Sequence, residues 1–173
     1  MAATPSDESR LRIRLVRGEG RAAVATGLPV LDHLLEVLAD WGRFDLELET
    51  APDRAGEEEV EAVGRALGGA VGQLLTGRGY GSATAPADEA LAQVVLEASG
   101  SPVVASNVDL SGEHVGGLHA DLLALLLEEL CAEAGLTLHV RLLEGEDARH
   151  VLEAVFKALG LALAQACDPK TGG

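Results

Sequence analysis

The chain has 173 residues, of which 47% are hydrophobic and only 2% are aromatic, and it carries a formal net charge of −15. This length suffices for one domain or for two small half-domains with a shared core, and that core must be built from Leu, Val and Ala. The acidic balance argues against binding to a nucleic-acid backbone, because such binding requires clustered Lys and Arg.

The sequence predicts a cytoplasmic protein. Its first ten residues contain no apolar segment of the kind found in signal peptides. The most apolar run, residues 118–130, is short and is interrupted by three acidic residues, so we do not expect it to span a bilayer. Cys131 and Cys167 lie in helical patterns without metal-binding spacing, and we expect both to be buried free thiols.

The first half of the chain predicts three strands and two helices. Alternating apolar residues over 11–15 predict a half-buried strand, and residues 21–26 return as a second strand to form a hairpin. Leucines at helical spacing occupy residues 29–42, and a third strand covers residues 44–48. A second helix runs over residues 57–74, with an acidic start that suits the helix dipole.

The second half repeats much of this order. After a Gly-rich, irregular segment at residues 77–86, the pattern predicts strands at residues 88–97 and 102–110, a helix at 119–134, a strand at 136–140 and a helix at 148–166. In this interpretation Asp88 and Glu89 are strand residues, and His114 and His119 are loop residues.

The two halves predict a duplicated fold. Helix, glycine and strand recur about 93 positions apart, ending in Gly42 in the first half and Gly135 in the second. This repeat predicts an α+β fold of two half-domains, each a sheet with helices on one face, packed with their helices inward. We place the half-domains at residues 10–85 and 86–167, after a loose N-terminus at 1–9 and before a short tail at 168–173.

Both halves open their last helix with the same polar spacing. Glu57 and Glu58 are followed three residues after the second by Glu61, and about 92 positions later Arg149 and His150 are followed by Glu153. Residues three apart share one face of a helix, where His and Glu can hold a metal. The first copy has no His, however, and the second has only one.

Six segments, in order and at nearly the same spacing, resemble the imidazoleglycerol-phosphate dehydratase family of histidine biosynthesis. They are Thr26–Leu35 (TGLPVLDHLL), Gly42–Leu46 (GRFDL), Asp88–Leu91 (DEAL), Ser99–Pro102 (SGSP), Gly135–His139 (GLTLH) and Glu153–Ala158 (EAVFKA). Together they run over most of the chain.

The resemblance implies the fold, the assembly and the chemistry of that family. The implied fold is the duplicated half-domain, which is ribosomal protein S5 domain 2-like. The implied assembly is a homo-oligomer, a trimer or a 24-subunit shell, with two manganese ions per active site held by His and Glu. The implied reaction removes water from a glycerol-phosphate side chain on an imidazole, with the metals acting as Lewis acids.

The family's metal ligands correspond to eight positions of this chain. Five retain the expected residue type: His33, Glu61, His139, His150 and Glu153. Glu61 and Glu153 are also the inherited catalytic positions. Three positions are substituted where the family has His: Glu57, Glu58 and Arg149. A carboxylate can bind manganese, but Arg is always protonated and cannot be a ligand.

The phosphate-binding residues of the family are also reduced. Gly79, before Tyr80, and Ser101 stand where the family has Arg, and its Ser-Ser-Lys-Gly tail has no counterpart. Only Lys157 remains of the basic set. A phosphate without its Arg partners lacks charge-assisted bidentate hydrogen bonds, which are the strong kind.

These losses lead to three hypotheses. The first is a non-catalytic member of the family that keeps an oligomeric structural or regulatory role and binds no metal, with Arg149 paired to carboxylates. The alternative is an active metal-dependent lyase on imidazoleglycerol phosphate or a related substrate, with a single weakly bound divalent metal at the five retained positions. The third is a subunit that assembles with an intact paralogue.

Overall fold

A computed structural model describes residues 11–51 and 56–170 of the chain. The predicted loose N-terminus lies outside the described residues, as do residues 52–55 of the predicted loop and the last three residues of the tail. The first unit comprises β1 (Leu11–Arg17), β2 (Ala22–Ala25), α1 (Pro29–Gly42), β3 (Phe44–Thr50) and α2 (Gly56–Leu74).

The second unit adds one strand and a small hairpin to the same order. It comprises β4 (Tyr80–Ala87), β5 (Ala90–Glu97), β6 (Val103–Ser106), β7 (His114–Val115), β8 (Leu118–His119), α3 (Asp121–Ala134), β9 (Thr137–Glu144) and α4 (Ala148–Ala166). The division into half-domains at residues 85 and 86 stays a prediction. This boundary falls within β4, which pairs with β5 in the second sheet.

The sheet topology repeats between the units. In the first sheet, of order β1-β3-β2, β3 pairs antiparallel with β1 and parallel with β2. In the second, of order β4-β5-β9-β6, β9 pairs antiparallel with β5 and parallel with β6. The predicted α+β fold is confirmed, with β4 as an additional edge strand.

Some local predictions were wrong. β1 and β2 do not form a hairpin, because β3 lies between them and pairs with both. The segment expected to be irregular contains β4. Asp88 and Glu89 are not strand residues; they form the turn from β4 to β5, where Asp88 adopts a left-handed conformation with φ 51°. His114 and His119 are paired strand residues of the β7–β8 hairpin.

The helices pack face to face between the sheets, α1 on α4 and α2 on α3. The core is mostly Leu, Val and Ala, as predicted, with Phe44 and Phe156 among its largest fully buried side chains. Glycines permit the close approach of α2 to α3: a Cβ at Gly68 would lie 2.5 Å from the carbonyl oxygen of Leu130. Cys131 and Cys167 are buried free thiols, which confirms that prediction.

Among the described residues, no helix combines the length and the apolar character needed to cross a membrane.

Candidate functional site

The contact between α1 and α4 brings together two of the predicted site residues. Nε2 of His33, on α1, lies 2.7 Å from Oε1 of Glu153, on α4. The start of α1 is fixed by Pro29, whose ring presets the first helical φ, and by Asp32, which accepts hydrogen bonds from the backbone N–H and the hydroxyl of Thr26. The first turn of α1 is therefore tied to the residues that precede the helix.

A pocket of about 190 Å³ lies at this contact. Its residues come from α1, α4 and the β7–β8 hairpin: Pro29, Val30, His33, Leu34, Val115, Gly116, Arg149, Leu152 and Glu153. Arg149 lies one helical turn before Glu153, on the same face of α4. The pocket therefore contains an imidazole and a carboxylate already in contact, together with a guanidinium that stays positively charged.

His150 forms a cluster with three carboxylates instead of facing this pocket. Its Nδ1 lies 2.6 Å from Glu89, its Nε2 lies 3.3 Å from Asp88, and its backbone N–H donates to Asp147 at 3.1 Å, which caps α4. The hydrogen bond with Glu89 raises the pKa of His150 above its usual value of 6.5. The cluster ties the start of α4 to the β4–β5 turn.

The acidic start of α2 lies away from that pocket. Glu57 and Glu58 are exposed, and Glu61 lies 3.9 Å from Arg65 on the next turn. Arg65 in turn lies 3.6 Å from Glu129 of α3. Glu61 therefore belongs to a partly exposed ion-pair network between α2 and α3.

The remaining two candidates also lie apart. His139 is an exposed residue of β9, opposite Val95 of β5 and Ala105 of β6. Lys157 donates to the carbonyl oxygen of Pro86 at 3.0 Å, and its Nζ lies 4.9 Å from the centre of the Trp41 ring. Both contacts engage the ammonium group of Lys157 within the chain.

Within residues 11–51 and 56–170, then, one pocket contains His33, Arg149 and Glu153, and the other predicted site residues lie elsewhere. No group of three or more His, Cys, Asp or Glu side chains in these ranges is placed to hold a metal ion. The assignment of the eight positions as metal ligands stays a prediction.

The donor chemistry does not fit a pair of manganese ions. Three of the eight positions lack the imidazole that the family resemblance implies, and one of these places the permanent charge of Arg149 in the pocket of His33 and Glu153. At His150, Nδ1 is hydrogen-bonded to Glu89, and Nε2 lies 3.3 Å from a carboxylate oxygen of Asp88.

Two of the predicted phosphate positions, Gly79 and Ser101, lie in turns of the backbone. Gly79 has φ +56°, and a Cβ at this position would lie 2.5 Å from the Cβ of Ala98. An Arg at position 79 would require the backbone to move. Ser101 is held in a local turn by a hydrogen bond from its N–H to the hydroxyl of Ser99.

Sequence reasoning did not find the partners of these residues. Asp88, Glu89 and Asp147 were not predicted to contact His150, and Trp41 was not predicted to contact Lys157. The only local indication was Asp147 three residues before His150, a spacing typical of a helix N-cap.

Comparisons with known proteins agree with this fold. A sequence model of the imidazoleglycerol-phosphate dehydratase family matches residues 26–163. The imidazoleglycerol-phosphate dehydratase of Pelobacter propionicus is 37% identical over 97% of this chain and 91% of its own length. That of Syntrophobacter fumaroxidans is 40% identical over 87% of this chain and 80% of its own length.

Two crystal structures of such enzymes superpose on the chain. The enzyme from Staphylococcus aureus has a TM-score of 0.83 and 29% identity, covering 93% of this chain and 95% of its own. The enzyme from Pyrococcus furiosus has a TM-score of 0.81 and 28% identity, covering 97% and 93%. The chain therefore belongs to the imidazoleglycerol-phosphate dehydratase family.

Proposed function

We propose that this chain is a non-catalytic member of the family, which keeps the fold in a structural or regulatory role and does not dehydrate imidazoleglycerol phosphate. The observation that carries the proposal is Arg149 in the pocket of His33 and Glu153. Like unit charges about 4 Å apart repel by roughly 4 kcal/mol at an effective dielectric near 20, and the repulsion from a divalent ion is twice that. A guanidinium in this pocket therefore takes the place of a cation.

The contacts of His150 support the same conclusion. Metal binding through Nε2 requires the imidazole to be neutral and Nε2 to turn from Asp88 to the ion. The hydrogen bond of Nδ1 with Glu89 works against the first requirement, because it favours the protonated ring. In this proposal His150 has a structural role.

The substrate's phosphate would also lack its basic partners. Gly79 and Ser101 supply no charge, and Lys157 is already engaged with Pro86 and Trp41. Removal of a single well-placed electrostatic group costs about 10²- to 10³-fold in rate. Several such losses together leave little catalysis.

We further propose that the chain works in the cytoplasm as a homo-oligomer, a trimer or a 24-subunit shell, or together with an intact paralogue. This rests on its family membership. Arg149 and the exposed acidic residues Glu57 and Glu58 are complementary charges that can pair between subunits in place of metal bridges.

An active lyase is the second candidate. It is favoured by the 2.7 Å contact of His33 with Glu153, which keeps two retained positions together. In that case the chain takes up one divalent ion, and the ion displaces Arg149 from the pocket.

Manganese uptake separates these two functions. We expect the unmodified chain, dialysed against excess manganese and then desalted, to retain none at the inherited positions. The triple variant Glu57→His, Glu58→His, Arg149→His regains uptake before any turnover, because the phosphate-binding Arg residues are still missing. Retention of a stoichiometric ion by the unmodified chain, lost on His33→Gln, contradicts the non-catalytic proposal.

A further inference from the structure

The β7–β8 hairpin presents two histidines side by side on its exposed face. His114 and His119 are directly opposite each other in the antiparallel pair, and their neighbours Val115 and Leu118 are buried on the other face. The Nε2 atoms lie 3.1 Å apart, and both side chains are exposed. Neither residue belongs to the eight inherited ligand positions.

The backbone of the hairpin fixes this arrangement. Gly116 and Gly117 form a two-residue turn with φ +56° and +82°, the positive values at both positions that a type I′ turn requires. Beyond the pair, the N–H of Ala120 donates to the carbonyl oxygen of Glu113 at 3.0 Å. Because hydrogen-bonded and non-hydrogen-bonded pairs alternate, the two histidines occupy a non-hydrogen-bonded pair, where opposite side chains are closest.

The tip of the hairpin is also held against the body of the protein. A Cβ at Gly116 would lie 2.4 Å from the side chain of Val30, so the turn packs closely on the start of α1. The two imidazoles are therefore presented by a short, anchored element and not by a free loop.

The spacing of the nitrogens suits a single ion. Zinc binds imidazole nitrogen at about 2.0–2.1 Å. Two nitrogens 3.1 Å apart subtend about 98° at an ion 2.05 Å from each, between square-planar and tetrahedral angles. The ring centroids are 3.9 Å apart and the ring planes are tilted by 46°, so binding requires both exposed imidazoles to rotate and aim their Nε2 atoms at one ion.

We propose that His114 and His119 form a bidentate site for a divalent zinc or copper ion, with its other coordination positions open to water or to another ligand. Imidazole suits these ions, whereas manganese is better matched by carboxylate, carbonyl and water. The site is separate from the inherited ligand positions and does not depend on the function proposed above.

The test uses the full-length chain, freed of metal with a chelator, and titration with zinc chloride in a non-coordinating buffer. We expect one zinc ion per chain. Each of His114→Gln and His119→Gln weakens binding at least about tenfold, since even partners outside the coordination shell cost 10- to 100-fold. The matched control His33→Gln, His139→Gln, His150→Gln leaves only this pair of the five histidines and keeps the affinity.

A spectroscopic measurement makes the result independent of how well the single variants fold. With one equivalent of copper, the electron paramagnetic resonance spectrum of the control triple variant is expected to show hyperfine coupling to two imidazole nitrogens. Absence of zinc binding in the unmodified chain, unchanged affinity in correctly folded single variants, or loss of binding in a correctly folded triple variant overturns the proposal.

Discussion

At the scale of single residues, the positions that resemble metal ligands make contacts with other side chains of the chain. Arg149 lines the pocket in which His33 and Glu153 touch, and His150 binds carboxylates of the β4–β5 turn. Both arrangements join separate elements through contacts between side chains. The positions that resemble metal ligands can thus stabilise the fold by hydrogen bonds and ion pairs.

The contact between His150 and Glu89 makes the stability of the fold depend on pH, and the directions of the two pKa shifts determine how. The hydrogen bond with Glu89 raises the pKa of His150 above 6.5, so its contribution is complete below pH 6.5 and is lost as the pH rises through the folded pKa. Hydrogen bonds from its own N–H and from His150 lower the pKa of Glu89 below 4.5, so its contribution is present above pH 4.5 and is lost as the pH falls through the folded pKa.

The pair therefore stabilises the fold most between about pH 4.5 and 6.5. We expect the melting temperature of the unmodified chain to exceed that of His150→Gln in this window, and the difference to shrink at about pH 8.5. Glu146→Gln, which removes an exposed carboxylate between β9 and α4, is the control and should show no such pH dependence. A difference that grows with rising pH would contradict this account.

At the scale of elements, the helix contacts depend on specific glycines, and two neighbours on α2 make a matched test. A Cβ at Gly68 meets the backbone of α3, whereas a Cβ at Gly69 meets nothing within 4 Å. Gly68→Ala should lower the free energy of unfolding by about 1–3 kcal/mol through overpacking. Gly69→Ala should leave it unchanged or raise it by up to about 1 kcal/mol through helix propensity.

Chemical denaturation of the two variants measures both effects. Equal effects of the two substitutions would show that α2 and α3 do not approach as closely as described. The melting transition should stay cooperative in both variants, because neither substitution removes a core side chain.

The helices and their spacing could be predicted from sequence because they depend on local features. Leucines at helical intervals mark α1, and Gly135, with φ +69°, ends α3 near the predicted position. The order of strands could not be predicted this way. β2 joins β3 through a crossover, so its partner is set by packing of α1 and not by the turn at residues 18–20.

The site was less predictable than the fold because its contacts join residues that are far apart in the sequence. His33 and Glu153 are 120 positions apart and meet only because α1 packs on α4. The contacts of His150 depend on a turn 61 positions earlier, and Asp88 there adopts a left-handed conformation that favours Asn, Asp and Gly. β4 was missed because its Gly, Ala and Pro content is atypical of a strand.

At the scale of the whole molecule, the proposed function implies an assembly that is held together without metal. We expect light scattering to give a trimer or a 24-subunit shell at micromolar concentration. Addition of a chelator should change neither the particle size nor the melting temperature, because in this proposal ion pairs take the place of metal bridges between subunits. A monomer, or an assembly that dissociates when the chelator is added, contradicts the proposal.

The most direct test of the central claim is turnover of imidazoleglycerol phosphate by the purified unmodified chain with manganese in excess. The Staphylococcus aureus enzyme serves as the positive control in the same assay. We expect a rate below about a thousandth of the control, since several electrostatic groups are missing and each costs about 10²- to 10³-fold. Turnover above that level, abolished by a chelator, would contradict it and establish the chain as an active lyase.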